Sequence, residues 1–181
     1  MNVTSVILPW VLVCLSVSCF ASDASDSQNK AKVAVPRVKK IAADPIVIAA
    51  IKEQNAKKVS LAEIQKIDKA WTDGDTKVSN EVSARPCSAK LQELLKKQPD
   101  LMEAFAMDDQ GANVCMSDRT SDYWQGDEAK WQKSFNGGKG GVNFDERKFD
   151  SSAKTVIVQV SVPVLDQGKV IGALTVGVKA D

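Results

Sequence analysis

Residues 155–181 read TVIVQVSVPVLDQGKVIGALTVGVKAD, two alternating runs separated by a turn signal. In the first, Val156, Val158, Val160, Val162 and Val164 face one way and Ile157, Gln159, Ser161 and Pro163 the other. The second sets Val170, Leu174, Val176 and Val178 against Ile171, Ala173, Thr175 and Gly177. A period of two marks strands with two unlike faces, so this stretch predicts a long β-hairpin. A two-residue loop at Gln167-Gly168 would set the valine face of one strand against the small-residue face of the next. A three-residue loop with Gly168 in a G1 bulge would instead pair Val164 with Val170 and Val160 with Leu174. Only that register yields one continuous apolar face, and it is the one expected. The opposite face, with Gln159, Ser161, Ala173, Thr175 and Gly177, is small and partly polar, and leaves room for a bound molecule.

Upstream, Asp44-Pro45 opens a helix, and Ser60-Leu61-Ala62-Glu63 is a capping box opening a second. Leu61, Ile64, Ile67 and Trp71 share a face there, and these apolar helices are the expected cover for the valine face. A third helix runs from Pro86 to Gln98. Asp108-Asp109-Gln110-Gly111 makes a turn between two short strands; that reading is favoured over a calcium loop, because further EF-hand ligand positions are missing. A short helix spans Gly126 to Phe135 and a strand Val142 to Phe144, with a loop from Asp145 to Ala153. Gly137-Gly138-Lys139-Gly140-Gly141 lacks phosphate-loop spacing and reads as a connector. Strands joined by short turns, with helices segregated, predict an α+β domain with an antiparallel sheet.

The 181 residues carry a net charge of +1, with lysine and arginine spread among the acids, so no nucleic-acid partner is expected. The chain has no histidine. That removes Ser-His-Asp and Cys-His catalysis and HExxH zinc sites, and no metal or cofactor is expected. Asp127-Glu128 and Asp145-Glu146 could supply carboxylates to an enzyme, but adjacent residues point to different faces, and no enzyme is expected. Residues 1–21 bear no charged side chain and read as a signal peptide cleaved after Ala21, leaving a periplasmic protein. The alternative is a membrane anchor formed by residues 3–21. Residues 22–43 read as a polar linker, mobile over Ser22 to Lys32, and 44–181 as a single domain. Export would leave only Cys87 and Cys115, which either form a disulfide closing a loop of about 29 residues or pack as buried thiols.

The long N-terminal helical region, the strand–DDQG–strand hairpin, the segment TSDYWQGDEAKW and the closing VQVSVPVLDQGKVIGALTVGV together resemble the extracytoplasmic Cache, or PDC, sensor domains of bacteria. The resemblance covers about Asp44 to Val178. It implies a PAS-like antiparallel five-stranded sheet, with a long N-terminal helix on one face and a ligand lid on the other. It also implies a small-molecule ligand that is presented to a membrane receptor or kinase. Relatives commonly sit between two membrane helices; this sequence has no second apolar run of that kind and reads as a stand-alone member. The amino-acid-binding branch carries an Arg followed by a Trp in its lid, and no Arg lies between Ser121 and Lys133 here, which disfavours a free carboxylate.

The expected pocket has Gln159, Ser161 and Thr175 in its floor, Tyr123, Trp124 and Trp131 as its roof, and Asp145 at its mouth for an amine-bearing ligand. Against that reading, the tryptophans could simply be core and Asp145 a loop-end cap. A structural accessory without a ligand is the competing function.

Overall fold

The computed structural model describes residues 17–150 and 154–181, with side chains described from residue 25 onward. The two long strands are β5 (Thr155–Asp166) and β6 (Lys169–Lys179). They lie inside one antiparallel sheet with β1 (Leu101–Met107), β2 (Asn113–Met116), β3 (Asn143–Phe144) and β4 (Lys148–Asp150). The strand order is β2-β1-β6-β5-β3, and β4 pairs with β5 further along the same strand. The sheet therefore has six strands in five positions. The segment expected as a loop from Asp145 to Ala153 contains β4, whose three residues are short enough to leave little alternation in the sequence; residues 151–153 lie outside the described structure.

The hairpin reaches the expected faces by a different route. Gln167 and Gly168 form a two-residue loop, both with positive φ (49° and 84°), and Asp166 pairs with Lys169. Such a loop matches the strand twist, and the register is corrected one step later. Leu165 pairs with Val170 but Val164 pairs with Gly172, so Ile171 is an extra residue that forms a bulge. From there Val162 meets Leu174, Val160 meets Val176 and Val158 meets Val178. The valine face is continuous, with its register two residues from the one expected.

That face is covered by α1 (Val17–Ala42), α2 (Pro45–Ala56) and α5 (Pro86–Lys96). Asp44 caps α2, accepting from Ile46 N at 2.9 Å. The expected polar linker is instead the C-terminal part of α1 and packs on the sheet. Ala31, Ala34, Val38 and Ile41 are buried against it at helical spacing, a stripe too narrow to stand out from the lysines around it. Ser27 Oγ donates to Ala180 O at 3.0 Å, and Arg37 holds Asp100 with both terminal nitrogens at 2.8 and 2.5 Å. Among the described residues no helix is long and apolar enough to cross a membrane.

The helix α3 (Leu61–Thr72) begins at the expected cap, Ser60, which accepts from Glu63 N at 3.3 Å. It does not cover the valine face. Ile64 and Trp71 join a second core with Val82 of α4 (Lys77–Ser83) and Phe105, Met107, Tyr123 and Ala173, while Leu61 is exposed. The opposite face of the sheet thus has a packed half of its own.

Cys87, at the start of α5, is bonded to Cys115 on β2, with Cα atoms 5.5 Å apart. The bridge spans 28 positions, for which the chain-entropy model gives roughly 3–4 kcal/mol. Replacing both cysteines by serine is expected to lower the unfolding free energy by about 3 kcal/mol in urea titrations. Adding dithiothreitol to the parent protein should reproduce that loss, and the double variant should no longer respond to it.

Candidate ligand-binding site

The segment from Ser117 to Phe135 forms the lid over the second core, and its fastening begins at the β1–β2 turn. Asp108 Oδ1 accepts from Gln110 N at 2.9 Å and Ala112 N at 2.8 Å, closing the expected turn. Gly111 has φ +89°, and a Cβ there would stand 2.5 Å from Gly126 Cα in the lid. Gln125 N donates to Gly111 O at 2.8 Å and Asn113 N to Tyr123 O at 2.9 Å. From α3, Asp68 Oδ1 accepts from Tyr123 N and Trp124 N at 2.8 and 2.9 Å.

The three aromatics of the expected roof belong to this fastening. A buried indole N–H needs an acceptor, and both find one on the turn: Trp124 Nε1 donates to Gln110 O at 2.8 Å and Trp131 Nε1 to Asp108 O at 3.0 Å. Tyr123 is buried beside Trp71, ring centroids 5.7 Å apart, and burial pushes its hydroxyl up to about 12. The expected roof is therefore core and anchor. Ser161 and Thr175 are buried with their hydroxyls 2.9 Å apart, one donating to the other. Asp145 accepts from Asn143 Nδ2 at 2.7 Å, the loop-end role. Of the seven expected site residues, only Gln159 lines the lid-side cavity.

That cavity, of about 330 Å3, lies over the other half of the polar face. Its wall includes Glu103 and Phe105 of β1, Gln159 of β5, Gln125 and Lys130 of the lid, and the β4 residues Lys148 to Asp150. Glu103 and Gln159 flank Gly177 on neighbouring strands, and Gln159 Nε2 donates to Glu103 Oε1 at 2.6 Å. Burial raises the Glu103 carboxyl above its ordinary range, against the Gln159 bond, which lowers it. Gln125 Nε2 donates to the Asp122 carboxylate. Both amides thus use their NH2 on an acid, and their carbonyl oxygens are left buried without a partner. Lys130 pairs with Glu128 at 2.8 Å and lies 5.5 Å from the Phe105 ring centre. Arg119 is committed to Trp71 O at 2.8 Å and stacks over its ring. Phe149, 66% exposed, adds an open aromatic face. A larger hollow of about 540 Å3 lies between α2 and the start of α5, but its wall carries none of the partnerless oxygens.

Glu103 was the residue missed, though its sign is in the sequence. It is the one charge inside LMEAFAM, on the same side of the strand as Phe105. Lys130 and Gln125 carried no such mark.

The sequence matches no family model and no curated protein. Among solved structures, the sensor domain of the Vibrio cholerae histidine kinase DctB aligns with a TM-score of 0.50 over 88% of this chain and 54% of that one, at 10% identity. The chain has the fold of the Cache sensor domains. At that identity the likeness is one of fold. The ligand-binding domains of the Pseudomonas aeruginosa chemoreceptor PctC with GABA (TM-score 0.45, 12% identity) and of the Campylobacter jejuni chemoreceptor Tlp3 with 4-methylisoleucine (0.40, 10%) were also found. They align over 88% and 94% of this chain, which spans 60% and 64% of theirs. The cavity lies between the sheet and the lid.

The turn that fastens the lid has its own pH signature. Burial raises Asp108 to about 6, although its backbone hydrogen bonds and Asp109 also act on it. A folded-state value above the unfolded one of about 3.9 means the native protein holds the proton more tightly. The contribution of Asp108 to stability is therefore fully present below about pH 4 and is lost as pH rises to about 6. Asp108→Asn keeps an oxygen for Gln110 N and Ala112 N and should flatten that slope in urea titrations from pH 4 to 8. Asp108→Ala loses both bonds and should cost about 1–3 kcal/mol.

Proposed function

We propose that this chain is an extracytoplasmic sensor module that holds a small solute bearing N–H donors, with amines first, and presents it to a membrane signalling partner. The observation that carries this reading is the pair of buried amide oxygens, on Gln125 and Gln159, that lack partners on the wall of one cavity. Gln159 is 3% exposed and Gln125 1%. A buried acceptor without a donor costs roughly 1–3 kcal/mol, which a ligand N–H would recover. Glu103 adds a carboxylate to the same wall, whereas Lys130 and Arg119 already have partners. A free carboxylate ligand would meet Glu103 and the two amide oxygens, with Lys148 of β4 as the remaining cation of the wall. The disulfide supports an oxidising compartment, consistent with export after Ala21.

A thermal-shift screen of amines, guanidines, amino acids, carboxylates and sugars tests the reading. Compounds with N–H donors are expected to raise the melting temperature of the parent protein. Gln159→Leu should weaken the best of them by about 1.5–3 kcal/mol, the range for a hydrogen bond to a charged group. Asp145→Ala, outside the cavity wall, should bind it normally. A shift from carboxylates alone would overturn the donor assignment, and no shift from any class would favour an accessory protein that binds no solute.

A further inference from the structure

Gly177 stands between Glu103 and Gln159, paired with both. A Cβ on it would lie 2.7 Å from Glu103 Cγ. Its bare backbone opens a lane across β6, along which Glu103 reaches Gln159 Nε2 at 2.6 Å. That bond fixes the amide's orientation, because a carboxylate accepts only from the NH2 end. The amide oxygen is then left beside an acid with no donor for it. An ionised Glu103 cannot supply one. A protonated Glu103 can: a carboxylic acid and a primary amide side by side close a ring of two hydrogen bonds, N–H to carboxyl oxygen and O–H to amide oxygen.

We propose that Glu103 and Gln159 share a proton on the floor of the cavity, and that an N–H-bearing solute binds by taking its place. The proton passes to solvent, and the ligand N–H donates to the Glu103 carboxylate and to Gln159 Oε1. The inference rests on the reading of the cavity above. The one bond broken is the Glu103 O–H, whose proton is taken up by water, and one proton leaves for each ligand bound to the protonated form.

The neighbours are consistent with this exchange. Around Glu103 stand Lys148 and Asp150 on β4, and Lys130 and Arg119 of the lid. Among the described residues none forms an ion pair with Glu103, while Lys130 is held by Glu128 at 2.8 Å. Burial is the largest influence on its titration and favours the acid, as Asp150 does; Gln159, Lys148 and Lys130 favour the carboxylate.

The test uses the full chain with 13C-labelled glutamate, the Glu103 carboxyl signal being the one absent from Glu103→Gln. Its titration midpoint is expected above the ordinary value of about 4.3. Ethylammonium chloride should lower that midpoint and shift the side-chain amide signals of Gln159 and Gln125. Tetramethylammonium chloride, of equal charge but without N–H, should do neither. Below the midpoint, ethylammonium affinity should fall tenfold per pH unit, and Glu103→Gln should lose that pH dependence while keeping its fold. An ordinary midpoint overturns the inference. So does an unmoved midpoint while the amide signals shift, an outcome that leaves the cavity reading standing. Amide signals unmoved by any amine would overturn both.

Discussion

The rest of the structure depends on one constraint: the β5–β6 hairpin must keep its valines on a single face. A two-residue loop alone would put them on opposite faces, and the bulge at Ile171 brings them back. With Val158, Val160, Val162, Leu174, Val176 and Val178 in one continuous surface, α1, α2 and α5 have something to bury against. At roughly 25 cal/mol per Å2 of apolar surface, burying this face is a large favourable term for the domain. The same parity fixes the other face. Gln159, Ser161, Thr175 and Gly177 must turn away from that core, whatever then covers them.

What covers them differs along the strands. Toward Ala173 and Met107 the cover is a second core containing Trp71 and Tyr123, and the lid is fastened there by backbone carbonyls that accept from two indoles. Toward Glu103 and Gln159 no comparable apolar cluster exists among the described residues, and the cavity opens. The fastening explains why the cavity has a fixed wall. Asp68 and the turn at Asp108 hold the start of the lid from two sides, so Gln125 is placed by backbone hydrogen bonds as well as by its side chain's bond to Asp122. The disulfide ties α5 to β2, the strand next to β1, and steadies the same edge of the sheet.

Much of the fold was legible because it is written in periodicity and local chemistry. Alternation gave the faces of β5 and β6, Asp44 and Ser60 announced their helices, and Asp108 to Gly111 announced its turn. Local signals fail where the deciding contact is distant. The stripe Ala31, Ala34, Val38 and Ile41 is made of small residues among lysines, and its meaning appears only against β5. The sequence could not say which sheet face α3 would meet. The site was harder for a further reason. Aromatic residues near a ligand and aromatic residues in a core look the same in sequence, and here Trp124 and Trp131 are held by carbonyls on a turn. Gln159 was legible because a polar residue amid valines needs an explanation. By the same logic, Glu103 inside LMEAFAM should have been read with it.

The polar floor also shows how the fold tolerates a costly group. A buried carboxylate and two amides with unmade bonds work against stability, and a domain of this size has only some 5–15 kcal/mol in hand. The opposite face of the same two strands offsets that cost. Because β5 and β6 carry the valine surface on one side and Gln159 and Gly177 on the other, the backbone that presents the floor is held rigid by the best-packed part of the molecule. Gly177 illustrates the coupling. In the middle of a strand a glycine weakens the sheet, yet here the lost side chain is what lets Glu103 cross to Gln159.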